Sequence, residues 1–382
     1  MFNKFFKSFF IVLLSALLPA CSTGELVNAA LSKNPENILR NRANSYKTNP
    51  LRLVSDIKRL NRLLSGEAGK EWGNKNVVLP GKHRYVKYTQ NYKSRAIINF
   101  DTGLITVETV DKKNPLGSLR SAIVTTLLTP GDPRAVDLYS AKTIKLSGTP
   151  YLHGLVRDHK GRLIDSPKRA ERFADKLIIK EKVRQLKTNK GSRKAHSVNI
   201  HMVNDHVDRR AKRYAHLVEH YSSRFNVSRS LVYAVIKTES NFNPFAVSSA
   251  PAYGLMQLVP KSGGREAFRH IKGKDTIPGR DYLFDATNNI ELGTGYLSVL
   301  NRRYLGGIQN PISREYCTIA AYNTGAGNVL RAFSSDRRKA VDIINRMSAS
   351  AVYKHLRSKL HYAEARRYLW KVVDARKRFA TL

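Results

Sequence analysis

Hydrophobic positions recur at two different periods along the chain, and the change between them falls near residue 207. Leu53, Ile57, Leu60, Leu63 and Leu64 lie at helical spacing and predict a helix over Leu51 to Leu64. Arg95 to Val110 instead alternates around Asp101-Thr102-Gly103, which predicts a β-hairpin. Asn114-Pro115 caps a helix through Leu128, and Asp132-Pro133 opens another. Val156 to Ile164, centred on Asp158-His159-Lys160-Gly161, reads as a second hairpin, followed by a charged helix from Pro167 to about Lys187. Thr188 to Ala195 is polar, basic and aperiodic and reads as a linker, whereas His196 to Val203 alternates like a strand returning to the N-terminal sheet. Beyond it helical stripes follow one another: Val207 to Phe225, Ser228 to Ser240, Asn288 to Tyr304, Arg314 to Tyr322, Gly327 to Phe333, Arg337 to Met347, Ala351 to Lys359 and Ala363 to Arg378. Ser262 to Tyr282 is irregular. The expected fold class is therefore α+β, with a mixed α+β domain over 48–190, a linker and return strand over 191–206, and a mainly α-helical domain over 207–382.

The first fifty residues follow a different logic. Lys4 and Lys7 precede the apolar run Phe9 to Leu18, which is too short to span a bilayer and reads as an export signal over 1–20. Leu18-Pro-Ala-Cys21 resembles a bacterial lipobox, and that resemblance implies lipidation of Cys21 and, with Ser22 after it, a lipid anchor on the periplasmic face of the outer membrane; 21–47 then forms the lipidated start and a tether. An exported chain with two cysteines would normally pair them. Lipid on Cys21 leaves Cys317 unpaired, and its neighbours Tyr316, Ile319 and Ala320 mark it as a small buried residue.

The chemistry centres on Glu239. Leu231, Val235 and Glu239 fall at i, i+4 and i+8, with Val232 and Ile236 widening the stripe, so the glutamate extends an apolar helical face. A carboxyl in such a place loses hydration, which raises its pKa towards the range where an acid donates at neutral pH. Pro244 ends the helix within a turn of it, leaving the glutamate beside a loop. Glu239-Ser240, Gly254-Leu255-Met256-Gln257 and Ala321-Tyr322-Asn323, followed by Glu364-Ala-Arg-Arg-Tyr368, occur in an order that resembles the lytic transglycosylases with a goose-lysozyme-like fold. The resemblance covers roughly Val207 to Val373.

That resemblance implies a lysozyme-like catalytic domain acting on peptidoglycan glycan strands, with Glu239 as both acid and base. It implies non-hydrolytic cleavage of the MurNAc–GlcNAc β-1,4 bond to leave a 1,6-anhydro end. Ser248, nine residues after Glu239, matches a family serine near the reacting sugar. Gln257 offers an amide to an N-acetyl group, and Tyr296, Tyr322, Asn323 and Tyr368 complete the expected substrate-binding set. For Tyr322 two roles stay open, orienting Glu239 or packing in the core with its hydroxyl bonded elsewhere. Hydrolysing glycosidases usually use two carboxylates, and Glu266, Asp275, Asp281 and Asp285 match no catalytic position and read as structural. Neither the two cysteines nor the 11 histidines have metal-ligand spacing, and no cofactor is expected.

Charge sharpens the rival readings. With 67 Lys and Arg against 29 Asp and Glu, the formal net charge is +38, which draws the chain to polyanions. Nucleic acid is one such partner, but the export signal and the absence of a helix-turn-helix, zinc or ribonucleoprotein signature argue against it. A hydrolytic goose-type muramidase shares the motif glutamate, and a non-catalytic wall-binding lipoprotein shares the charge. Acidic peptide stems or anionic envelope lipids are the partners the charge fits best.

Overall fold

The computed structural model describes residues 51–188, 191–248 and 252–380. Its N-terminal part is built on one antiparallel five-stranded sheet in the order β1-β2-β3-β5-β4, formed by β1 (Arg84–Thr89), β2 (Ser94–Asn99), β3 (Leu104–Thr109), β4 (Lys182–Thr188) and β5 (Gly191–His201). Helix α2 (Pro115–Leu127) packs on β2 and β3, α3 (Pro167–Ile178) packs on α2, and α1 (Leu51–Trp72) lies against β4. The hairpin around Asp101 forms in register, with Ala96 opposite Val107. Its turn is closed by Asn99, whose Oδ1 accepts from the backbone N–H groups of Asp101 and Thr102. Asn114 caps α2 by accepting from Gly117 N at 3.1 Å.

Several expectations fail here for identifiable reasons. Strand β1 was not anticipated: Tyr85, Val86, Lys87 and Tyr88 are all buried, so alternation is lost, and the turn into β2 takes positive φ at Gln90, Asn91 and Tyr92 without a glycine to announce it. Asp132-Pro133 opens a single 3₁₀ turn, Pro133–Ala135, in place of a helix. The second hairpin reduces to one bridge, Arg157 with Leu163, around a turn in which the Asp158 carboxylate accepts from Lys160 N, Arg162 N and the Arg162 guanidinium. The charged helix stops at Ile178, and after a short turn Lys182–Thr188 form β4. The linker reading of Thr188 to Ala195 is overturned as well: Thr188 pairs with Gly191 and Arg184 with Ala195 in the β4–β5 ladder. β4 is the sheet edge, and its exposed Lys182, Arg184, Gln185 and Lys187 give it the composition of a solvated segment, which is how edges avoid further pairing. His196 to His201 do return to the sheet, opposite Thr109 to Leu104.

The C-terminal part is helical. The single helix expected over Val207 to Phe225 breaks into α4 (His206–Lys212) and α5 (Ala215–Phe225), and α6 (Arg229–Ser240) follows. The stretch expected to be irregular holds α7 (Arg265–Lys272) and α8 (Arg280–Phe284) after a π turn, Pro260–Gly264. Then come α9 (Ala286–Val299), α10 (Pro311–Thr324), α11 (Ala326–Arg331), α12 (Arg337–Asn345), α13 (Ala349–Lys359) and α14 (Ala363–Arg378). Helix α6 packs against both α14 and α5. Burial extends beyond the predicted stripe to Tyr233 and Ala234, as suits a helix at the centre of a bundle. Cys317 on α10 is buried and its thiol is pushed up to about 12 by that burial, so it behaves as a small apolar residue. Among the described residues no helix is long and apolar enough to cross a membrane.

Candidate active site

Glu239 occupies the last turn of α6 and is buried, with 5% of its surface accessible. The helix ends at once because Asn241 takes a left-handed conformation, φ 49°. The Asn241 side chain then reaches across to the N-terminal sheet and donates to Phe100 O at 2.7 Å and to Asp101 Oδ1 at 2.9 Å. Fully buried Arg210 of α4 joins the same point, donating to Asn241 O and, at 2.7 Å, to Phe100 O. The end of the glutamate helix is thus fixed to the tip of the β2–β3 hairpin. On its other side Lys82, just before β1, places its ammonium 3.0 Å from Glu239 Oε2.

Burial pushes the Glu239 carboxyl above the usual carboxylate range, the Lys82 ammonium works against that rise, and the charge of Glu364 adds to it. A cavity of about 380 Å³ opens beside the carboxyl, lined by Lys82, His83, Glu239, Glu364, Arg367 and Tyr368. The other carboxylate lining it, Glu364, is exposed. A raised, buried acid facing a cavity can give up a proton to a bound oxygen and later take one back.

The Gly254-Leu255-Met256-Gln257 loop is attached to this helix by the residue after the glutamate: Ser240 Oγ donates to Leu255 O at 2.7 Å. Gly254 has φ +75°, and a Cβ there would stand 2.4 Å from Leu283 O and 2.5 Å from Asn289 Nδ2, so only glycine fits. Asn289 of α9 holds the loop from beneath, accepting from Met256 N at 2.8 Å while donating to Tyr253 O and Leu283 O. Gln257 also has positive φ, and its Nε2 donates to Ala246 O and Gly254 O. Among the described residues its Oε1 is buried without a partner, while both amide hydrogens are already given to carbonyls.

Of the other expected residues, Tyr368 lines the cavity beside Glu239, whereas Tyr322, Tyr296, Asn323 and Ser248 are not among its lining. Tyr322 donates to Met256 O at 2.9 Å, so of its two open roles the bonded one is the backbone contact, and it braces the loop instead of gripping Glu239. Its ring packs on Tyr296, with centroids 5.6 Å apart. Tyr296 in turn borders a second cavity of about 700 Å³, whose lining includes Glu266, Tyr304, Gly325 and Arg337. Asn323 is half-buried in the last turn of α10, and half-buried Ser248 follows Val247, which bridges Tyr253. The Tyr368 hydroxyl of α14 is buried near Glu239 without closing a hydrogen bond of standard geometry, and burial together with the Glu239 charge raises its phenol well above the ordinary value. The four other acids are occupied elsewhere. Asp275 pairs with Arg265, Asp281 with Arg280, and Asp285 with Arg134 while capping α9, and Glu266 faces Tyr296 and Tyr304. Sequence reasoning missed Lys82, His83, Arg210, Asn241 and Asn289. Only Asn241, directly after the Glu-Ser pair, carried a signal, since asparagine favours the left-handed helix end.

Residues 46–213 match the membrane-bound lytic murein transglycosylase C N-terminal domain, and residues 216–345 match the transglycosylase SLT domain. The membrane-bound lytic murein transglycosylase C of Klebsiella pneumoniae is 49% identical over 309 residues, spanning 81% of this chain and 85% of its own length. The chain belongs to this family. Its member from Cronobacter sakazakii is 44% identical over 374 residues, 98% of this chain and 99% of that protein. A solved structure of the 70 kDa soluble lytic transglycosylase from Escherichia coli is 25% identical over 46% of this chain and 26% of that one, with a TM-score of 0.35. The two domain matches meet between residues 213 and 216, at the turn joining α4 to α5. Both Lys82 and Tyr368 lie outside the SLT match, so the surroundings of Glu239 draw on more of the family's chain than its catalytic module alone.

Proposed function

We propose that the protein is a peptidoglycan lytic transglycosylase in which Glu239 serves in turn as general acid and general base. The observation that carries this reading is a single buried carboxyl at a cavity whose other lining carboxylate is exposed. Glu239 gives its proton to the glycosidic oxygen as the C1–O bond breaks, and the bonding pair leaves with the GlcNAc oxygen. The muramyl 6-oxygen then bonds to C1, and its proton passes to the Glu239 carboxylate, which restores the acid and leaves a 1,6-anhydro end. No water is consumed. Gln257 is assigned to an N-acetyl group of the glycan. Ser248, Asn323 and Tyr296 are assigned to the glycan groove, and Tyr368 to the carboxyl it adjoins. Because the nucleophile is the substrate's own 6-hydroxyl, peptidoglycan acetylated at that oxygen should resist cleavage. Cleavage of the acetylated polymer at the rate of the unacetylated one would exclude the mechanism.

The family's name places its members at a membrane, and residues 1–50, with the signal and Cys21, lie outside the described residues. We assign the attachment to lipid on Cys21, holding the enzyme on the periplasmic face of the outer membrane. Cys21→Ala should move the protein from the membrane pellet to the soluble fraction without detergent; retention equal to wild type contradicts the anchor.

A further inference from the structure

Lys82 is the one partner in an ion pair with Glu239 among the described residues, and it comes from the N-terminal sheet domain. Its Nζ stands 3.0 Å from Glu239 Oε2, with the lysine side chain 36% exposed and the glutamate 6%. The segment that carries it is held closely. Asn243 Nδ2 donates to Lys82 O at 2.9 Å, and neighbouring His83 joins Asp101 through Nδ1 and Thr238 O through Nε2, each at 3.0 Å. Asp101 is itself bonded by Asn241. The ammonium is therefore presented by a backbone tied to Thr238 in the last turn of the glutamate helix and to Asn243 just beyond it, which a freely solvated lysine is not.

Other groups face the same carboxyl. From α14 come Tyr368, Glu364, Arg367 and Lys371; from the Lys82 segment comes His83, occupied on both ring nitrogens; from α10 comes Tyr322, whose hydroxyl is given to Met256 O. Of the cations among the described residues, Lys82 alone is in hydrogen-bond reach of Glu239. A glutamate that donates a proton must exist as a buried anion until the muramyl hydroxyl returns one. An isolated buried carboxylate is costly, and a cation at 3 Å offsets that cost.

We infer that Lys82 is a positioning residue of the reaction, supplied by the N-terminal domain, which stabilises Glu239 in its carboxylate state between the two proton transfers. The inference rests on the reading of Glu239 as the single acid and base. It gives the N-terminal domain a part in the chemistry and makes the active site composite. It also fixes a sign. Lys82 favours the carboxylate, so it opposes the effect of burial; without it burial acts alone, the Glu239 carboxyl titrates higher, and the acid form persists to higher pH.

The test is kcat/KM against pH on purified peptidoglycan for the full chain, comparing wild type with Lys82→Met and Lys82→Arg. In Lys82→Met the alkaline limb should move to higher pH and kcat at the optimum should fall, because the base is less well stabilised; Lys82→Arg should keep the wild-type limb. Carbon-13 titration of the Glu239 carboxyl, identified by the signal that Glu239→Gln removes, should shift in the same direction. If Lys82→Met does not fold, Lys82→Gln, which keeps a hydrogen-bond donor without charge, takes its place in both measurements. An alkaline limb and a Glu239 titration unmoved by loss of the ammonium overturn the inference. Activity surviving in Glu239→Gln overturns the reading beneath it, and the two failures are told apart by which variant produces them.

Discussion

Glu239→Gln is expected to abolish glycan cleavage while leaving the protein folded and able to sediment with peptidoglycan. General acid–base groups contribute roughly 10²–10⁴-fold in rate, and here one side chain performs both transfers, so the loss should reach or exceed the upper end of that range. The fold should survive because the amide has the size of the acid, and because Lys82, once unpaired, is exposed enough to return to water. Four carboxylates provide the contrast. Glu266→Gln, Asp275→Asn, Asp281→Asn and Asp285→Asn should each cost much less, since three of them sit in ion pairs with arginines and Asn can still cap α9 at position 285. Rates of muropeptide release, with near-ultraviolet circular dichroism as the folding control, decide it. Wild-type activity in Glu239→Gln, or a comparable collapse in one of the other four, contradicts the assignment.

The second large effect concerns stability. Arg210 is wholly buried, and its guanidinium donates to Asn241 O, Phe100 O and His206 O, so it ties α4, the end of the Glu239 helix and the sheet together. Arg210→Ala removes these charged donors, strands the buried carbonyls of Phe100 and Asn241 in part, and leaves a void. Buried acceptors that lose a charged donor cost about 1.5–3 kcal/mol each, and partial relaxation brings the sum to on the order of 3–4 kcal/mol. Urea unfolding should show a lower midpoint at unchanged slope. Activity should fall more steeply than stability, because the same contacts align Lys82 and Glu239. A change within about 0.5 kcal/mol, the range of an ordinary surface substitution, contradicts this account of the junction.

Legibility in the sequence followed the range of the forces involved. The helix stripe over Leu231, Val235 and Glu239 is a local pattern, and burial of the glutamate follows from it directly. The hairpin around Asp101-Thr102-Gly103 and the Asn114 cap are also short-range devices, and the structure holds both. β4 was hidden because an edge strand rich in lysine and arginine has the composition of a solvated helix or linker. β1 was hidden because four successive buried residues erase the alternation. In the site, Gly254 was legible as part of a motif, yet the neighbours that demand a glycine there, Leu283 and Asn289, lie about thirty residues away and have no local signature. Lys82 is the extreme case. It is separated from Glu239 by 157 positions, and nothing in Leu79-Pro-Gly-Lys82-His-Arg distinguishes it from the other basic residues of a chain with a net charge of +38. Only the tertiary contacts of Asn241, Asn243 and His83 bring it to the carboxyl.

The central claim is that one carboxyl, with no water as nucleophile, completes the cleavage. Purified wild-type enzyme should be incubated with peptidoglycan, and the released muropeptides divided, one half treated with borohydride, before both are weighed by mass spectrometry. The account predicts 1,6-anhydromuramyl ends, whose masses are the same in both halves because no reducing end exists to be reduced. Ends that gain two hydrogens on borohydride treatment, and that are one water heavier than the anhydro form before it, would contradict it.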